Sequence, residues 1–191
     1  MRCTLALTCT LVLATPAFAA CEDDLKATFE QMMAGSAYRS TITSSSDAPG
    51  TVMESEAILP DKFHIRADQM EMILIGKKGW MKMGGAWQQM PAEAAEQMSS
   101  MISDGVAQGM KGVSNVKCLG DQTYEGASYD TISYTSKGEF AGIASSSEVV
   151  LYRDGDGHPA WMVIDGEAMG VKSKTVQKIT RDDTITINPP N

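Results

Sequence analysis

Residues 73–91 read ILIGKKGWMKMGGAWQQMP, and this stretch decides the fold. Short β-prone runs are broken by Gly76-Lys77-Lys78-Gly79 and by Gly84-Gly85, so they read as consecutive antiparallel hairpins. A two-residue turn at Gly84-Gly85 sets the register: Met83 faces Ala86, Lys82 faces Trp87 and Trp80 faces Gln89. Trp80, Lys82 and Trp87 then share one face, where the lysine stem lies along the indole rings, and Met81 and Met83 share the other. The stretch holds two of the three tryptophans and three of the fourteen methionines, with no histidine, cysteine or acid. Its aromatic face reads as structural and its methionine face as the lining of a cavity.

The same period extends outward. Upstream lie "YRSTITSS", "TVMESEAIL", "KFHIRAD" and "QMEMILIG". Downstream of Cys118 lie "YEGASYDTISYTSK", "SSEVVLYRD", "HPAWMVIDGE", "VKSKTVQKI" and "DTITINPP", with "DGDGHP" as a hairpin turn. Two segments break the pattern. "EDDLKATFEQMMAG" repeats Leu25, Thr28, Phe29 and Met32 at helical spacing, with acids in its first turn and Gly35 as its stop. "PAEAAEQMSSMISDGVAQGMKG" opens on Pro91 and places Met98, Met101, Ile102 and Val106 on one stripe. Gly105, Gly109 and Gly112 weaken its second half. The expected architecture is α+β: one large antiparallel sheet of about ten strands, an N-terminal helix and an inserted helix. Two short helices cannot cover so wide a face. The sheet must curl, or part of its concave face must stay lined but unfilled.

The N-terminus, "MRCTLALTCTLVLATPAFAAC", has Arg2, a short apolar run and Ala17-Phe18-Ala19, the pattern of a cleaved secretory signal over residues 1–20. Residues 21–191 are one domain's length. Loss of Arg2 moves the formal charge from −8 to −9. Without a basic cluster, that balance argues against nucleic-acid phosphates as a partner. The run is too short for a membrane span, so the mature chain is expected to carry no transmembrane segment. Cys3 and Cys9 leave with the signal, and Cys21 and Cys118 most simply form one disulfide in an exported chain. Lipidation of Cys21 is the alternative. It would tether the protein to a membrane, but Phe18 stands where such signals carry leucine, and Cys118 would be left unpaired.

Chemistry-bearing motifs are scarce. Asp154-Gly155-Asp156-Gly157 starts like a calcium loop, but His158, Pro159 and Asp165 occupy the places that need an acid or Asn, Gly and Glu. His64 and His158 are the only histidines, and neither has metal-ligand spacing. No G-x-S-x-G, phosphate loop or dinucleotide fingerprint is present, so neither enzyme activity nor a cofactor is expected. Thirteen methionines remain after Met1 is lost. Thioethers at Met70, Met72, Met81 and Met83 share a strand face and suit Cu(I). They suit a deformable apolar surface equally well.

The order of signals resembles the LolA-like periplasmic lipoprotein carriers, especially relatives of the LppX/LprG type. The resemblance rests on Leu59-Pro60-Asp61-Lys62-Phe63, on Ile75-Gly76 through Trp87, on Gly157-His158-Pro159 and on Ile187-Asn188-Pro189. It implies a strongly curved half-barrel with helices across its concave side, and a periplasmic carrier of lipid or of a lipoprotein's acyl chains. The carriers place a functional arginine before the proline where this chain has Leu59, so no family residue carries over. Candidate cavity residues therefore rest on periodicity alone: Phe63, Ile65, Met70, Met72, Met81 and Met83 on the sheet, with Met98, Met101, Ile102 and Val106 as a lid. A scaffold role, with the apolar face meeting an envelope protein partner, is the other reading kept open.

Overall fold

A computed structural model describes residues 17–45, 50–68, 70–109, 112–140 and 143–190, without the side chains of 17–19, 103–109, 139–140 and 143. Helix α1 (Ala17–Met33) precedes strands β1 (Ala37–Ser45), β2 (Thr51–Ile58), β3 (Lys62–Ala67), β4 (Met70–Ile75), β5 (Lys78–Met83) and β6 (Ala86–Gln89). Helix α2 (Ala92–Gly109) follows. Then come β7 (Val113–Tyr124), β8 (Ala127–Phe140), β9 (Ile143–Arg153), β10 (Pro159–Ala168) and β11 (Val171–Arg181). All eleven strands form one antiparallel sheet in the order β6-β5-β4-β3-β2-β1-β11-β10-β9-β8-β7. The sheet is open, and the α+β half-barrel expected from the sequence is the observed fold.

Turn chemistry explains the meander. Gly84-Gly85, Glu125-Gly126 and Met169-Gly170 each take two positive φ values (62° and 93°, 48° and 83°, 52° and 78°), the two-residue geometry that matches the twist of paired strands. The register at the first of these is the one expected: Met83 opposite Ala86, Lys82 opposite Trp87, Trp80 opposite Gln89.

Both helices lie on the concave face. Leu25 of α1 is fully buried among Cys21, Val116, Ile132, Tyr134, Val149 and Leu151. Farther along the sheet, Tyr38, Leu59, Phe63, Met72, Leu74 and Ile179 form a second cluster, joined by Met32 and Met33 of α1 and by Met98 and Ile102 of α2. Met162 touches both clusters, so the core runs the width of the sheet. Helix α2 contacts β4 and β5 on one side and β8 on the other, spanning the open side of the half-barrel. Its crossing ends at Gly112, whose carbonyl accepts the Lys137 N–H at 3.0 Å. A Cβ there would sit 1.8 Å from the Lys137 oxygen, so only glycine permits the approach. The expected Cys21–Cys118 disulfide is present, tying α1 to edge strand β7 across 97 residues and engaging the sulfur that lipidation would need.

Three local expectations change. Helix α1 starts at Ala17, so Glu22, Asp23 and Asp24 lie in its second turn rather than its first. "YEGASYDTISYTSK" is not one run, because Glu125-Gly126 turns the chain between β7 and β8. "DTITINPP" is not a ladder strand. Asp182 Oδ1 accepts from the Thr184 N–H (3.1 Å) and hydroxyl (2.6 Å), turning the chain out of β11. The tail then lays Ile185 and Ile187 on the convex face beside Ile73, Trp80 and Trp87. Alternation there encodes one-sided packing without pairing, and Pro189 and Pro190 have no N–H to pair with.

Candidate ligand-binding groove

Strand register sorts residues onto two chemically opposite faces. On the concave side one row runs Met81, Met72, Ile65, Ser55, Ser40, Ile179. The next runs Met70, Ala67, Met53, Ile42, Gln177, Met162, Leu151, Ile132. A third runs Ser44, Thr175, Ile164, Val149, Tyr134. None of these positions carries a formal charge.

The convex side is the reverse. Lys82, Glu71, Arg66 and Glu54 stand opposite one another on consecutive strands with alternating sign. His64 Nε2 donates to Glu71 Oε1 at 2.9 Å and Lys82 Nζ to Glu71 Oε2 at 3.1 Å. The hydrogen bond from His64, then that from Lys82, holds the Glu71 carboxyl below its ordinary range against the opposing effect of burial. Lys82 also lies 5.6 Å from the Trp87 ring centre, the lysine–indole contact expected on this face.

The concave face is filled at one end and open at the other. At the filled end a row of Gly79, Leu74, Phe63, Ala57 and Tyr38 lies under the helices. Helix α1 is held there by polar contacts as well as apolar ones. Arg153, buried, donates through Nη1 to Thr28 Oγ1 (3.2 Å) and to the Asp24 carbonyl (3.3 Å), and through Nη2 to Asp130. Arg181 Nη1 donates to His158 Nε2 at 3.0 Å, leaving Nδ1 to donate to Tyr38 Oη at 3.3 Å. Burial pushes the Tyr38 phenol above its ordinary range, so it stays neutral. Sequence reading places His158 in a polar hairpin turn. Nothing in its neighbours announces that the ring folds back onto Tyr38 of β1, 120 residues away in the chain, and onto Gln31 of α1, 127 residues away.

The candidate lining residues divide between the two ends. Phe63 and Met72 are buried, and Ile65, Met98 and Ile102 pack against them, so α2 closes directly onto the sheet there. Met70, Met81 and Met83 instead line an open groove of about 730 Å³ with Ala67, Asp68, Gly84 and Gly85. That volume falls within the roughly 300–1,000 Å³ of small-molecule sites. Met83 is 65% exposed and Met70 39%, against 3% for Met72. Met101 is 44% exposed on α2, and the side chain of Val106 lies outside the described residues. Of the four thioethers suited to Cu(I), three are thus at the groove and Met72 is in the core beneath it. A larger depression of about 850 Å³, beside the β10–β11 turn, is lined by Glu148, Asp165, Glu167, Lys172 and Lys174. Mixed charge of that density suits water rather than an apolar ligand. Among the described residues no group of three or more His, Cys, Asp or Glu could hold a metal ion.

No protein-family model matches the chain, and no curated protein matches it in sequence. Solved structures do match in shape. The lipoprotein LppX of Mycobacterium tuberculosis aligns with a TM-score of 0.59 at 14% identity, over 89% of this chain and 99% of its own. LprF of Mycobacterium bovis aligns at 0.60 and 13% identity, over 90% and 97%. MucB, in its complex with MucA from Pseudomonas aeruginosa, aligns at 0.52 and 12%, over 87% of this chain and 59% of that one. The chain therefore has the LolA-like fold, and at these identities the likeness is one of fold. No helix among the described residues is long and apolar enough to cross a membrane.

Proposed function

We propose that the chain is an exported, periplasmic, non-enzymatic carrier that holds an acyl chain of a lipid or lipoprotein on its concave face. The observation that carries this reading is the segregation of charge. Three cross-strand rows of the concave face carry no formal charge and run to an open groove edged by three methionines, while Arg153, Asp130 and Arg181 stand on that face at the end held by α1 and the outer face carries a ladder of ion pairs. An uncharged floor gives an acyl chain contact without desolvating any ion, and flexible thioethers repack around chains of different shape. Both histidines are engaged elsewhere: His64 in the convex ion-pair ladder and His158 under α1, so neither offers the groove a general base.

Titration of the delipidated protein with hexadecanoic acid and with phosphatidylglycerol tests the reading. Ligand at about 100 times Kd adds about 2.7 kcal/mol, a rise of roughly 5–10 °C in Tm for a chain of this size. No rise with either ligand, together with no lipid in solvent extracts of gently purified protein, refutes it. The MucB–MucA complex supports a second reading, in which the same face receives a protein partner. Co-purification of a stoichiometric polypeptide in place of lipid would favour that outcome.

A further inference from the structure

Methionine is the one apolar side chain that mild oxidants convert to a polar one. Its distribution here is uneven in a way that bears on the groove. Met72, at 3% exposure, lies under α2. Met83 and Met70, at 65% and 39%, stand at the groove with half-buried Met81. Met169 is more exposed still, at 80%, but sits at the tip of the β10–β11 turn, where it borders the charged depression. We infer that Met70, Met81 and Met83 are an oxidation-sensitive modification site whose conversion to sulfoxide releases the groove's acyl ligand.

The inference rests on the carrier reading and adds a control to it. A thioether lone pair attacks the electrophilic oxygen of a hydroperoxide. The S–O bond forms as the O–O bond breaks, sulfur loses two electrons, and the peroxide leaves as alcohol or water. Each sulfoxide puts a strong dipole where the acyl chain would lie. Among the described residues that line the groove beside the methionines, Ala67, Gly84 and Gly85 have no side-chain donor and Asp68 is an acid. Burying an unpaired dipole against hydrocarbon is unfavourable enough to expect about tenfold weaker binding or more. Met72 keeps its thioether under the helix, so the fold survives the change.

The test uses the mature protein and a fluorescent sixteen-carbon fatty acid as probe. Hydrogen peroxide is added in steps, with peptide mass spectrometry to place each added oxygen. The expected result is oxidation at Met83, Met70, Met81 and Met169 ahead of Met72. Probe binding should fall as the groove sites react and return after methionine sulfoxide reductase. Prebound probe should slow oxidation at Met81 and Met83 but not at Met169. Met169→Leu should lose binding on the same schedule as the wild type. Binding that survives full conversion at the three groove sites overturns the inference and leaves the carrier reading standing. Untreated protein that binds no probe sinks the carrier reading, and this inference with it.

Discussion

Gly79 is where the lid meets the sheet, and replacing it by alanine makes a quantitative test of how α2 is seated. A Cβ built there would lie 2.9 Å from Met90 Sδ, 3.0 Å from Ala95 Cβ and 3.0 Å from Leu74 Cδ2. The methionine sulfur can swing away. The Ala95 Cβ cannot, because Ala95 is fully buried on the helix and moves only with it. Gly79 does not need positive φ, so alanine gains about 0.5–1 kcal/mol from a stiffer unfolded chain. Overpacking costs about 1–3 kcal/mol and wins, because a rigid helix must lift by several tenths of an ångström to restore contact distance. Gly79→Ala should therefore lower stability by roughly 1–2 kcal/mol, a fall in Tm of about 2–8 °C.

A double-mutant cycle separates the clash from everything else. Ala95→Gly alone should cost about 1 kcal/mol in helix propensity. Combined with Gly79→Ala it should cost less than the sum, with a coupling of about 1 kcal/mol in the relieving direction. Chemical denaturation monitored by tryptophan fluorescence reads all four proteins. Strict additivity, or a neutral Gly79→Ala, would refute the claim that α2 is seated on this glycine.

Three further outcomes are expected. Cys21→Ser opens a loop of 97 residues and should cost on the order of 4–5 kcal/mol in denaturant, with reductant having no further effect on the variant. Asp130→Asn leaves the buried Arg153 guanidinium with a weaker partner and should cost about 1–3 kcal/mol, read as a lower denaturation midpoint. The Glu71 carboxyl is held below its ordinary range, so its contribution is fully present above the unfolded-state value and is lost as pH falls through the lower folded-state value. Thermal melts between pH 5 and 2 should show a shallower loss of stability in Glu71→Gln than in the wild type.

The faces of the sheet were legible because a period of two needs only the turns to fix it. Gly84-Gly85 and the alternation of Met81 with Lys82 were enough to separate core from ion pairs. The helices were legible from their apolar stripes, and the disulfide from simple parity. What could not be read was how tightly α2 closes. Phe63, Met72, Met98 and Ile102 form a packed cluster where Met70 and Met83 line open space, yet all sit on the same periodic stripes. Closure depends on Gly79 meeting Ala95, a contact between two unremarkable small residues 16 positions apart. The C-terminal tail misled for a related reason: alternation records which side of a segment is apolar, and says nothing of whether its backbone has a partner.

The strand order carries one consequence for how the molecule survives its own synthesis. Every ladder among the described residues joins neighbours in sequence except β1 with β11, where Tyr38 meets Arg181 and Ser45 meets Lys174. The sheet is thus two local wings sewn together by its last strand. Until that strand arrives, β1 is a bare edge of nine residues, and unpaired edges of that length recruit other chains. A chain truncated before Val171 would therefore be expected to aggregate through β1. Strand β11 acts as the molecule's own protection against self-association.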